Sequence, residues 1–146
     1  MLTMHHLGVI LPKVIVALAL CAPCSIGFAA ESPAGAQVYF ISPQQGETVQ
    51  NPVVVRFGLV GMGVAPAGIE MVKTGHHHLI LDAPLPDLTA TIPTDDHHLH
   101  FGGGQTETTL TLSPGTHTLQ LVLGDYLHVP HTPPVISEQI TITVED

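Results

Sequence analysis

Cysteine is nearly missing from this chain. The two present, Cys21 and Cys24, both stand within the first thirty residues, so the rest has neither a disulfide nor a thiolate metal ligand and must hold together by its core. Tryptophan is absent and aromatic residues make up 4% of the chain, which argues against a stacking platform for sugars or bases. Basic side chains are almost as scarce. After Lys13 only Arg56 and Lys73 occur, against twelve carboxylates, a balance that speaks against nucleic acid or an anionic membrane surface as partner and favours cations or basic proteins. No stretch carries a sustained helical period between caps, and no internal repeat is evident. The longest early apolar run, Val14 to Leu20, is too short and too close to Pro23 and Gly27 for a membrane span.

Residues 1–30 do have the order of a secretory signal. Lys13, with His5 and His6, precedes the apolar run, and a stretch of small residues ends at Ala29 and Ala30. Cleavage fits best after Ala29, where Gly27 is the small residue two positions earlier; cleavage after Ala30 puts Phe28 there. Leu20 before Cys21 and Pro23 before Cys24 do not fit a lipoprotein signal. The expectation is a periplasmic or secreted protein with no membrane contact after cleavage, in which residues 31–146 form one domain large enough for its own core.

Along residues 31–146 the pattern is one of strands and turns. Val38 and Phe40, followed by Ser42-Pro43-Gln44-Gln45-Gly46 and then Val53 to Phe57, fit a first hairpin. The glycine- and proline-rich segment Gly61 to Gly68 is a loop. His76 to Asp82 fits a strand with His76, His78 and Ile80 on one face and His77, Leu79 and Leu81 on the other. Thr108 to Leu112 and Thr116 to Leu123, joined through Ser113-Pro114-Gly115, look like the clearest hairpin, with His117 at the rim of the apolar face. Val135 to Val144 alternates as a closing strand, with Ile136 grouped with Ile140 and Ile142, and an exposed strand there could pair with another chain. About seven short strands predict an all-β, immunoglobulin-like antiparallel β-sandwich.

Four segments stand out together: Gly61 to Gly68, Gly75-His76-His77-His78-Leu79, His98-Leu99-His100-Phe101-Gly102-Gly103-Gly104-Gln105-Thr106-Glu107, and Gly124-Asp125 through His128-Val129-Pro130-His131. In this combination they resemble an uncharacterised bacterial family, a domain of unknown function numbered 4399. The resemblance spans nearly all of residues 31–146 and implies an exported domain, with no activity to transfer residue by residue. The opening hairpin, with Ser42-Pro43 and Gly46 before Val49, is also similar to bacterial immunoglobulin-like modules, which bears on fold more than on function.

What is abundant is histidine. Nine of the eleven lie between His76 and His131, mostly in three clusters. Imidazole is the commonest metal-ligating side chain and titrates near neutrality. Residues separated by one on a strand point the same way, so His76 with His78 and His98 with His100 can each present two rings, and His128 with His131 can do so at a turn. These six are the expected metal ligands, for copper or zinc, with no organic cofactor. Met62 is a conceivable ligand for Cu(I) but reads better as a small apolar plug. Asp95 and Asp125 stand where they could orient imidazoles or act on a bound water, and Asp96 reads as a turn residue. His77 and His97, of opposite parity, are read as supporting or exposed.

Three functions are consistent with these residues. The first is an exported domain that binds a transition metal for sequestration or delivery. The second is a non-catalytic envelope module, with an unidentified protein partner, in which histidines tie loops to strands. The third is a binder released as pH falls. An enzyme ranks below the first two, because no serine stands in a nucleophile elbow and no substrate pocket is legible.

Overall fold

The computed structural model describes residues 29–145, so the signal-peptide reading falls outside the described residues except at Ala29 and Ala30. The protein is all-β. Among the described residues there is no helix, and hence none long and apolar enough to cross a membrane. Nine strands occur in order among the described residues: β1 (Gln37–Ser42), β2 (Thr48–Gln50), β3 (Val53–Val60), β4 (Gly63–Val64), β5 (Thr74–Leu81), β6 (His98–His100), β7 (Glu107–Leu110), β8 (Gly115–Gly124) and β9 (Ile140–Glu145). They form two sheets, a small one ordered β1-β3-β7 and a large one ordered β2-β9-β8-β5-β4, with β6 also paired to β5.

One core joins the sheets. Val38, Val53, Val55 and Phe57 of the small sheet pack with Leu79, Leu119, Leu121, Leu123, Ile142 and Val144 of the large one. The period-two alternation of these strands sends every second side chain inward, where each buried aliphatic contributes about 1.5–3 kcal/mol. The large sheet is covered on its other face as well. Ile80, Ile92 and Val122 form a second cluster there with Leu85, Leu88 and Ile136. Residues 83–97 therefore lie over the outer face, and β5 is buried on both sides.

Three expectations are corrected. Thr108 to Leu123 is no hairpin, because β7 pairs with β3 in the small sheet while β8 pairs with β5 and β9 in the large one. An arch between facing sheets and a hairpin within one sheet both turn alternate apolar residues toward the same interior, so alternation alone does not separate them. Nor is the pairing wholly antiparallel, since β2 runs parallel to β9 and β4 parallel to β5. The closing strand is interior, flanked by β8 and β2, and it begins later than expected. Val135 joins the main core with Ile140 while Ile136 packs in the second cluster, so the chain slips by one residue near Glu138 and the faces exchange.

The outer edge of β5 carries two short strands. β4 pairs with Thr74 and Gly75, and β6 pairs with His78, Leu79 and Ile80, so the two share that edge end to end.

Candidate metal centre

The strand parity expected for β5 holds. His77, Leu79 and Leu81 face the core, where the His77 ring packs on Phe57 with centroids 5.2 Å apart. His76 and His78 face outward under the covering loops, and all three histidines are fully buried. In the register of β5 with β8, His76 stands opposite Gly124. A Cβ at Gly124 would lie 2.7 Å from His78 Cε1, so the glycine leaves room for imidazoles on this face.

The second contributor is β6, whose His100 pairs with His78 across the strands. Directly opposed residues share a face, and the two rings stack at 5.1 Å. Gly102 sits just beyond, and a Cβ there would come within 2.3 Å of His100 Cε1. The third contributor is the turn after β8. Asp125 arranges it: Oδ1 accepts the N–H groups of Leu127 at 2.8 Å and Val129 at 3.0 Å. His128 adopts φ 66° inside this turn, and Ile92 N–H donates to its carbonyl at 2.8 Å. The left-handed backbone turns its ring toward the strand histidines.

Four rings thus meet. His76 lies 4.7 Å from His78, 5.0 Å from His100 and 5.0 Å from His128 by ring centroid, and His100 lies 4.7 Å from His128. One nitrogen each from His76, His100 and His128 falls within 4.8 Å of the others. Nitrogens around a tetrahedral zinc are about 3.4 Å apart, as bonds of 2.0–2.1 Å require, so a small inward rotation of the rings reaches coordination distance. Both ring nitrogens of His76 and His78, and Nε2 of His100, are buried with no hydrogen-bond partner, as are both nitrogens of His77 on the core face. Leaving such groups unsatisfied costs about 1–3 kcal/mol each, and a cation is the partner that several converging lone pairs would share.

The electrostatics keep those lone pairs free. Burial, with the neighbouring rings of His100 and His128, pushes His76 down to about 4, although the Asp125 carboxylate opposes the shift. Burial and the other imidazoles push His78 down to about 3, and burial followed by His128 lowers His100. Near neutral pH these rings are unprotonated, the form that binds metal.

Apart from His77, the histidines outside the cluster, among the described residues, bond main-chain carbonyls or carboxylates of the fold. His131, expected beside His128, turns Nε2 to the Thr74 carbonyl at 3.0 Å and Nδ1 to the Leu123 carbonyl at 3.3 Å, bridging β5 and β8. His98, expected beside His100, places Nδ1 2.8 Å from Asp95 Oδ1, and the same oxygen accepts the N–H groups of His97 and His98. Parity alone grouped His98 with His100; Asp95, three residues earlier, is the local competitor that captures it. His97 bonds the Leu81 carbonyl at 2.8 Å. His117 bonds Asp82 at 2.6 Å and the Ser113 carbonyl at 2.8 Å. Met62 packs against the main core, as a plug would.

No curated protein and no solved structure matches the chain. A family model does match residues 55–145, a span that contains all four converging histidines and leaves β1 and β2 outside it, and the chain accordingly belongs to the family described as a domain of unknown function, DUF4399.

Proposed function

We propose that this domain binds one transition-metal ion, copper or zinc, through His76, His100 and His128, with His78 as the fourth donor, and that it serves to sequester or deliver that ion outside the cytoplasm. The observation that carries the reading is the convergence of three ring nitrogens within 4.8 Å, in a cluster with no hydrogen-bond partners for its buried nitrogens. An all-imidazole set suits Cu(II) and Zn(II), and the lack of thiolates speaks against softer sites. His100 and His128 are partly exposed while His76 is buried, so an ion would arrive from the side of β6 and the turn after β8. The two sheets are best read as an immunoglobulin-like sandwich that serves as a rigid support for those two loops, in a periplasmic or secreted protein.

The test is titration of the tag-free protein with Zn(II), Cu(II) and Co(II). Stoichiometric, submicromolar binding, with the intense visible bands of tetrahedral Co(II), is expected. Binding that survives combined replacement of His76, His100 and His128 by alanine would sink the assignment.

A second reading has its own support. His97, His98, His117 and His131 all bond main-chain carbonyls or carboxylates, as an envelope interaction module with histidine-tied loops would need. These four are assigned that ordering role, which coexists with the metal centre.

A further inference from the structure

Asp125 is a carboxylate shut inside the protein, with 1% of its surface exposed. Its Oδ1 organises the turn that carries His128, and its Oδ2 accepts a hydrogen bond from the main-chain nitrogen of Ala30 at 3.2 Å. Among the described residues the ion pairs are Arg56 with Glu107, Asp95 with His98 and Asp82 with His117. None of them reaches Asp125. A buried carboxylate without a cationic partner carries a heavy desolvation cost, and no ion pair among the described residues supplies one to Asp125.

The segment that delivers the Ala30 nitrogen is built in place. Thr132 N–H donates to the Ala30 carbonyl at 3.0 Å, and Ser32 N–H donates to the Thr132 carbonyl at 3.1 Å. The Ser32 hydroxyl donates to the Pro133 carbonyl at 2.7 Å. Residues 30–32 therefore lie strapped along residues 132–133, and the strap fixes one nitrogen on one buried carboxylate. In the sequence, Gly27 and Ala29 are the small residues that a signal peptidase reads immediately before that nitrogen.

We infer that the peptide bond between Ala29 and Ala30 is cleaved and that the α-ammonium of Ala30 so released is the cationic partner of Asp125. In that hydrolysis the C–N bond breaks, water supplies the hydroxyl that completes the Ala29 carboxyl group, and the nitrogen left on Ala30 takes up protons. The product keeps the observed contact and changes its nature: a peptide N–H offers one donor and no charge, whereas the ammonium offers three donors and neutralises the carboxylate. Cleavage one residue later would remove both the nitrogen and the Ala30 carbonyl that Thr132 uses. Asp125 also orders the turn that carries His128 and acts on His76 through its charge, so the melting comparison is made on metal-free protein, where the strap and the carboxylate act without a bound ion.

The experiment exports the full chain through a secretory route and measures the intact mass of the product, then its melting temperature with a free and with an acetylated N-terminus. The expected mass begins at Ala30. The free-amine form is expected to melt about 5 °C above the acetylated form, which retains only a hydrogen bond. In Asp125→Asn, whose Oδ1 still serves Leu127 and Val129 while its amide replaces the charged oxygen, that gap should close. A mature chain that begins elsewhere, equal melting of free and acetylated protein, or a gap undiminished in Asp125→Asn overturns the inference.

Discussion

Among the described residues, each histidine is defined by what its two ring nitrogens meet. Those of His76 and His78 meet no partner, whereas those of His131 meet two main-chain carbonyls. Alanine at His76, His100 or His128 is therefore expected to weaken zinc or copper affinity at least a hundredfold by calorimetry, with a smaller loss at His78. Alanine at His131 should leave affinity within a fewfold but cost about 1–3 kcal/mol in urea unfolding, because it strands a buried carbonyl. A His131 variant that binds no metal would mean that the ligand set is misassigned. The His117 ring behaves in the opposite sense to the cluster. Burial works against its charge, yet the bonds to Asp82 and Ser113 outweigh that and raise its pKa. Its pairing therefore contributes fully below the usual histidine value and is lost as pH rises through the raised one.

At the scale of elements, glycines decide how closely the histidine-bearing segments approach. A Cβ on Gly75 would strike the Gly124 carbonyl at 2.7 Å, which is backbone of the neighbouring strand. Gly75→Ala should push β5 from β8 and destabilise the fold by about 1–3 kcal/mol, visible as a lower urea midpoint. Gly102→Ala meets chiefly the outer end of the His100 ring, with the Ala67 Cβ at 3.3 Å beyond it, so it should lower metal affinity about tenfold or more with a smaller change in the midpoint than Gly75→Ala. Equal effects of the two on stability would contradict this division. Elements also differ in how far the sequence reveals them. The faces of β5 follow from alternation, because both periodicity and burial are properties of one strand. The arch from β7 to β8 does not, since sheet membership depends on partners far along the chain. The capture of His98 by Asp95 was legible in principle as an aspartate three residues before a strand. The φ of 66° at His128, which aims its ring, had no marker beyond the neighbouring Gly124-Asp125.

For the whole molecule, three buried imidazoles on one strand make the metal-free fold acid-labile. His76 and His77 are pushed down to about 4 and His78 to about 3, in each case chiefly by burial. Between the ordinary value of 6.5 and those values the unfolded chain binds protons that the folded chain refuses. Stability is then present above about pH 6.5 and falls as pH drops toward 4, the sign that linkage requires. Thermal melting of the metal-free protein from pH 7 to pH 4 should show a steady decline, and a flat profile would mean that the rings are not buried in solution. A bound metal would act in the other direction. At a free concentration a hundred times the dissociation constant, an ion that binds only the folded form adds about 2.7 kcal/mol, and a chelator should remove that increment.

The proposed centre would draw its donors from β5, from β6 and from the turn after β8, segments that are far apart in the sequence. An ion held there ties three distant points of the chain together, closing two long loops in a domain that has no cysteine after Cys24. It is a cross-link by coordination, and its effect on the unfolded chain resembles that of a disulfide. Such a tie is indifferent to thiols and reductants but can be removed by competition for the metal. The resistance of this protein to unfolding would then track the metal supply of its surroundings, not their redox state.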